Sequence, residues 1–307
     1  MRTAWEEFVG SLRRVPEDAS FGEPADYYIH SESGAVYENK GEIGKGRYGS
    51  VYAYHVADDS RPAMAVKCIR KGASFEIYAV HSMSAITATR PKARGFIQAA
   101  LLRESGDAAD VAMPMCNGNI SKFSGVCNYR FASDVAHSVA TTVRAMWTCG
   151  VAYCDIKTTN VLYVQKDGIM CVVLGDLGSI VPRRAHDGSF RDGIFTFPPQ
   201  RALDGIVVPV EGDLVWGIGT LIMTMLLGTD WVASRLTGDA LRERFHGNLE
   251  DAFDASSADI RGRAEEMRAS GNARGARVAD ALDISVDAWN GSRKASLAAL
   301  CRALRTV

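Results

Sequence analysis

The 307-residue chain carries 35 basic and 36 acidic residues, a net charge of −1, and 47% of it is apolar. That balance leaves no global field to recruit nucleic acid or an anionic membrane, and the length provides a sizeable core without covalent staples. The seven cysteines (Cys68, Cys116, Cys127, Cys149, Cys154, Cys171 and Cys301) are odd in number, scattered and never spaced Cys-x-x-Cys, which argues against a disulfide framework or a zinc site and for a reducing, intracellular compartment. The six histidines show no metal spacing. No apolar leader follows Met1, and the longest apolar stretch, Leu214 to Gly228, is too short for a membrane span and reads as a buried helix.

In chain order, residues 1–36 read as an N-terminal extension. Trp5, Phe8, Val9 and Leu12 lie at helical spacing and predict a short helix that packs on the main domain, followed by a connector through Pro24. From Val36 the pattern turns to strands, with Ser50 to Val56 and Met64 to Ile69 separated by the turn cluster Asp58-Asp59-Ser60-Arg61-Pro62. Ser74 to Met83 predicts a helix with Ser74 as a candidate cap, and Val111 to Cys116 is a third apolar piece. Beyond it Val135, Val139, Val143, Met146 and Trp147 form a helical stripe that begins near the cap candidate Ser133 and stops at Gly150. Val161 to Val164 and Met170 to Leu174 are strands of a hairpin joined through Lys166-Asp167-Gly168. From Asp213 onward the chain reads as helices with polar connections.

Several short strings fall on these elements. Ile43-Gly44-Lys45-Gly46-Arg47-Tyr48-Gly49-Ser50-Val51 joins two strands, so its glycines let the backbone bend sharply and approach a ligand where any Cβ would collide. Ala65-Val66-Lys67 ends an apolar strand sixteen residues later. Tyr153-Cys154-Asp155-Ile156-Lys157-Thr158-Thr159-Asn160 precedes the hairpin and Asp176-Leu177-Gly178 follows it. Thr196-Phe197-Pro198-Pro199-Gln200 comes next, and Asp213-Leu214-Val215-Trp216-Gly217-Ile218-Gly219 opens the long apolar helix.

In this order the strings resemble the eukaryotic protein kinase superfamily, of the serine/threonine type, from residue 37 onward. The resemblance implies an α+β, bilobal fold: a small antiparallel sheet as N-lobe (about 37–113), a hinge (about 114–118) and a mainly helical C-lobe (about 119–307). It implies ATP and Mg2+ as cofactors. Residues 43–51 then cover the phosphates, Ala65 lines the base, and Lys67 meets the α- and β-phosphates. Glu76 is the candidate partner of Lys67, nine residues on, with Glu104 as the alternative. Met113 would be the gatekeeper, the Pro114 carbonyl and the Cys116 N–H the adenine contacts, since proline has no N–H to offer. Asp155 would be the base or hydroxyl orienter, Lys157 the γ-phosphate contact, and Asn160 and Asp176 the metal ligands. Asp213 would brace the catalytic loop.

The sequence departs from the family at four places. Tyr153 and Cys154 replace the His and Arg that usually precede the catalytic Asp, Leu177 replaces Phe, and Gln200 replaces the Glu of Ala-Pro-Glu. Loss of that Arg removes the usual acceptor of a phosphorylated activation loop, so activity is expected without prior loop phosphorylation. The Tyr-Cys-Asp string and the Pro-Pro segment also resemble kinases of large DNA viruses, herpesvirus-like ones among them. The expected activity is phosphoryl transfer to serine or threonine hydroxyls of protein substrates by a monomeric catalytic domain. A pseudokinase scaffold and a kinase-like small-molecule phosphotransferase are the alternatives.

Overall fold

The computed structural model describes residues 4–15, 20–21, 23–46, 49–56, 63–89, 95–183, 208–237, 239–240, 243, 249–292 and 294–305. They fall into two compact units, Met1–Asn117 and Gly118–Val307.

The first unit is built on a seven-stranded antiparallel sheet. Its strands are β1 (Leu12–Val15), β2 (Tyr27–His30), β3 (Val36–Lys45), β4 (Gly49–Val56), β5 (Met64–Ile69), β6 (Ala100–Ser105) and β7 (Ala108–Pro114), hydrogen-bonded in the order β1-β2-β3-β4-β5-β7-β6. Strand alternation gives the sheet two different faces. On one, Ile69, Ala109 and Val111 pack with Ala73 and Val80 of α2 (Ala73–Thr89). On the other, Tyr54, Met64, Val66, Cys68 and Ala112 pack with Trp5 and Val9 of α1 (Ala4–Gly10) and with Tyr28 and Tyr37.

The predicted N-terminal helix is present but ends at Gly10, so that Leu12 lies in β1 instead of on the helix, and the described residues between 4 and 30 do more than lie on the sheet. They add two strands to it and form one of its two cores. The Tyr54 hydroxyl donates to the Ala25 carbonyl at 2.8 Å, and Arg103 reaches the Ser20 carbonyl at 2.7 Å. Strand β6 was not among the predicted strands. It forms a tight hairpin with β7 over Gly106, whose positive φ suits the turn.

The second unit is mainly helical: α3 (Tyr129–Thr148), α4 (Glu211–Leu227), α5 (Thr229–Leu236), α6 (Leu249–Ala269), α7 (Ala273–Trp289) and α8 (Leu297–Leu304). Helix α4 is buried on every side from Asp213 to Met225, as its uniform apolarity requires. Trp216 stacks on Trp289 of α7 at 4.2 Å, and Gly219 meets Ser285 so closely that a Cβ would lie 2.4 Å from the serine Cβ. The N-cap of α3 is Asn128, whose side chain accepts from the Phe131 N–H at 2.9 Å. Ser133, the expected cap, lies within the helix, fully buried, and donates to the Leu304 carbonyl at 3.4 Å.

Short strands complete this unit. β8 (Gly118–Asn119), β10 (Val161–Lys166) and β11 (Ile169–Leu174) form one sheet, and β9 (Val151–Tyr153) pairs with β12 (Ile180–Pro182). The β10–β11 turn places Asp167 at φ 51° and Gly168 at φ 76°, the left-handed pair that a two-residue Asp-Gly hairpin needs. Among the described residues, no helix is long and apolar enough to cross a membrane.

Candidate active site

In the first unit, the Gly-rich segment is the β3–β4 hairpin, closed by a Gly46 N–H to Gly49 carbonyl bond of 2.9 Å. Ile43, Gly44 and Lys45 end β3, and Gly49, Ser50 and Val51 begin β4; Arg47 and Tyr48 lie outside the described residues. The three glycines are not equivalent. A Cβ on Gly49 would sit 2.1 Å from the Cys68 carbonyl oxygen on β5, so the sheet itself demands this glycine. Among the described residues, a Cβ on Gly44 or Gly46 would meet nothing nearer than 3.8 and 3.7 Å, and neither has a positive φ. The described residues make no demand for glycine at these two positions.

Lys67 lies on β5 between Val51 of β4 and Val111 of β7, one residue beyond Val66 and two beyond Ala65. Its Nζ is 2.8 Å from Oε2 of Glu76 in the first turn of α2, and both side chains are largely buried. The structure thus joins Lys67 to Glu76 rather than to Glu104, which is exposed on β6. The nine-residue interval suffices because Gly72, at φ 78°, turns the chain straight from β5 into α2.

Met113 and Pro114 end β7 opposite Ala65 and Met64. The Met115 N–H donates to the Ala63 carbonyl at 3.0 Å, and Cys116 follows, half-buried. Strand β6 pairs with β7 only from Ala112 backward.

In the second unit, Asp155, Lys157 and Asn160 form one cluster after β9. Oδ2 of Asp155 lies 2.6 Å from Lys157 Nζ and 3.0 Å from Asn160 Nδ2, and the same amide also donates to the Asp155 backbone carbonyl at 3.0 Å. Asp155 and Asn160 are buried. Ile156 rests on α4, where a Cβ at Gly217 would lie 3.3 Å from its side chain. Asp213, at the start of α4, accepts from the Val210 N–H at 2.8 Å and caps the helix.

The β10–β11 register carries Asn160 to Asp176. Val161 faces Leu174, so the next residues outward, Asn160 and Gly175, meet through a Gly175 N–H to Asn160 carbonyl bond of 2.8 Å. Gly175 has no room for a side chain, since a Cβ would lie 2.7 Å from Leu162. Asp176 follows at φ 45°, ψ 65°, exposed, in a left-handed conformation uncommon for a residue with a side chain.

One contributor escaped the sequence reading. The buried Tyr153 hydroxyl donates to the Gly175 carbonyl at 2.5 Å, so Gly175, the residue just before Asp176, is held through both its N–H and its carbonyl. Its signal was the departure itself, a hydroxyl-bearing ring two residues before Asp155. Cys154 is also buried, and its N–H reaches the Ser179 carbonyl at 3.4 Å. Strand pairing then continues through Ile180–Tyr153 to Pro182–Val151. The segment around Thr196 and Gln200 lies outside the described residues.

Comparison with known proteins agrees with this arrangement. The protein kinase domain family matches residues 37–255. Ribosomal protein S6 kinase alpha-1 of Mus musculus is 33% identical over 102 residues, 32% of this chain and 14% of the relative. Calcium-dependent protein kinase 9 of Oryza sativa subsp. japonica is 30% identical over 134 residues, 41% of this chain and 23% of the relative. The chain thus matches under a quarter of the length of these relatives. A solved structure of vaccinia related kinase 3 has a TM-score of 0.54 at 12% identity, covering 83% of this chain and 78% of that one, which supports the fold alone. By fold, by motif order and by the span of the family match, the chain belongs to the protein kinase domain family.

Proposed function

We propose that the chain transfers the γ-phosphoryl group of Mg-ATP to serine or threonine hydroxyls of protein substrates. The observation that carries this reading is the hydrogen-bonded set Asp155, Lys157 and Asn160, tied through Gly175 to Asp176. It contains a group for each task of the reaction: hydroxyl orientation, phosphate charge neutralisation and metal binding.

The residues fit the cofactor. Among the described residues nothing demands glycine at Gly44 or Gly46, as expected where phosphates approach the backbone. Lys67, held by Glu76, would present its ammonium to the α- and β-phosphates; the Pro114 carbonyl and the Cys116 N–H would take the adenine edge. Asn160 commits its amide NH2 to Asp155, which leaves Oδ1 as the atom for a metal, and Asp176 adds a carboxylate. Two oxygen donors with phosphates completing the shell suit Mg2+, which seldom uses an all-protein cage. The bound Mg2+ would neutralise charge that develops on the transferred group.

Asp155 would accept or orient the proton of the incoming hydroxyl. Lys157, 2.6 Å from the Asp155 carboxylate, would bridge it to the moving phosphoryl oxygens. Both act by position and charge, with no covalent intermediate on the protein. Lys two residues after the catalytic Asp supports hydroxyls of serine and threonine as acceptors. Incubation with Mg-ATP and a degenerate peptide library, followed by phosphoamino-acid analysis, should give phosphoserine and phosphothreonine. Phosphotyrosine alone would contradict the acceptor assignment.

A further inference from the structure

The backbone edge of β7 is divided in a way that the phosphoryl-transfer roles leave unexplained. The Met115 N–H bonds to Ala63 on the β5 side. By the twofold alternation of an extended strand, the carbonyls of Ala112 and Pro114 then face the opposite edge. Strand β6 covers that edge only as far as the Ala100–Ala112 pair. At Ala112 another group arrives: the indole N–H of Trp5, 107 residues upstream, donates to the Ala112 carbonyl at 3.2 Å. The next group along this edge is the Pro114 carbonyl, and Cys116 follows two residues past it; the Pro114 carbonyl and the Cys116 N–H are the two groups assigned above to adenine.

We infer that Trp5 is a positioning residue for the nucleotide, its indole N–H fixing the edge of β7 on which Pro114 and Cys116 meet the base. The inference rests on the kinase reading. Pro114 has no N–H, so β7 cannot extend its own ladder there. Its end is flanked instead by two ties, one on each edge: Met115 to Ala63 and Trp5 to Ala112. The indole is firmly presented. Its ring lies 5.1 Å from Phe8, Val9 one turn on is buried, and the tyrosine core formed by Tyr28, Tyr37 and Tyr54 lies beneath. The N-terminal helix thereby becomes part of the nucleotide site, though none of its residues needs to touch ATP.

The test is calorimetric titration of the full chain with Mg-ATP in three forms: parent, Trp5→Phe and Val9→Ala. Trp5→Phe removes the donor and keeps an aromatic ring at the position, with some loss of packing volume. Val9→Ala loosens the same helix without touching the bond to Ala112. Trp5→Phe should weaken Mg-ATP binding about three- to tenfold, the scale of one buried hydrogen bond. Val9→Ala should lower the thermal midpoint yet bind within about twofold of the parent. Equal weakening in both variants, or none in Trp5→Phe, would overturn the positioning role while leaving the kinase reading intact. A parent that binds no Mg-ATP would remove the nucleotide reading itself, and this inference with it. Hydrogen exchange of the unmodified chain supplies a readout without substitution: Mg-ATP should slow exchange in Ala4–Gly10 as well as around Met113–Asn117, and an unchanged helix would count against the proposal.

Discussion

At the scale of single residues, one motif can have two different causes. The sequence suggests a ligand-facing role for all three glycines of the β3–β4 turn, whereas Gly49 is demanded by the Cys68 carbonyl of the neighbouring strand. Gly49→Ala should therefore destabilise the fold by about 1–3 kcal/mol, an overpacking cost, and lower the melting midpoint. Gly44→Ala and Gly46→Ala should melt like the parent and lose affinity for Mg-ATP instead. Thermal melts with and without Mg-ATP separate the two classes. The contact that singles out Gly49 depends on cross-strand register, which no local string reveals. Lys67, by contrast, was legible because it ends an apolar run at a fitting distance from the glycines, and Glu76, the leading candidate for its partner, is brought to it because Gly72 turns the chain directly into α2.

The cysteines make a second prediction at this scale. Burial pushes the Cys127 thiol up to about 11, and burial with the Asp110 carboxylate beside it pushes Cys68 higher still. A raised thiol pKa means less thiolate at neutral pH, so alkylation of both should be slow there and accelerate only in strong alkali. Cys171 is exposed on β11. Mass spectrometry after brief maleimide treatment at pH 7.5 should find Cys171 modified before either.

At the scale of elements, the proposed catalytic floor is built by a hairpin. The β10–β11 register carries Asn160 to Gly175, and Tyr153 closes the other side of that residue. Tyr153→Phe should lower kcat about tenfold, as expected for loss of one buried hydrogen bond at the turn proposed to carry the metal, with little change in substrate KM. The same region bears on control. Cys154 is buried and cannot receive a phosphate, while the start of the following segment is held by β9–β12 pairing and by Arg183 over the Trp147 ring at 4.2 Å. Phosphatase treatment should leave activity within about twofold; a large loss would show that loop phosphorylation still governs it.

Elements were legible where the local signal was strong, as in the uniformly apolar α4 and the Asp-Gly hairpin. Strands β1 and β2 were missed because Leu12 also fits the helical spacing of Trp5, Phe8 and Val9, the residues after it look like a connector, and β2 is only four residues long; Arg14 of β1 packs inward and donates to the Glu23 carbonyl at 2.7 Å. Ser133 reads as a cap because it stands just before the apolar stripe that begins at Val135, but its hydroxyl serves the Leu304 carbonyl, 171 residues away.

At the scale of the whole molecule, the proposed reaction draws on both compact units: Lys67 and the glycines from one, Asp155, Lys157, Asn160 and Asp176 from the other. Binding that favours the folded chain raises the melting midpoint by mass action, about 2.7 kcal/mol at a hundredfold excess over Kd. Mg-ATP should give such a shift in the parent and in Asp155→Asn, and a smaller one in Lys67→Met. The most direct test is transfer of label from γ-labelled ATP to a mixed protein panel by the parent and by these two variants. The account predicts labelling by the parent, with a loss of at least about a hundredfold in Asp155→Asn, the scale of a general acid–base contribution, and a severe loss in Lys67→Met. Labelling that survives in both variants, or a parent that binds Mg-ATP and labels nothing, would contradict it.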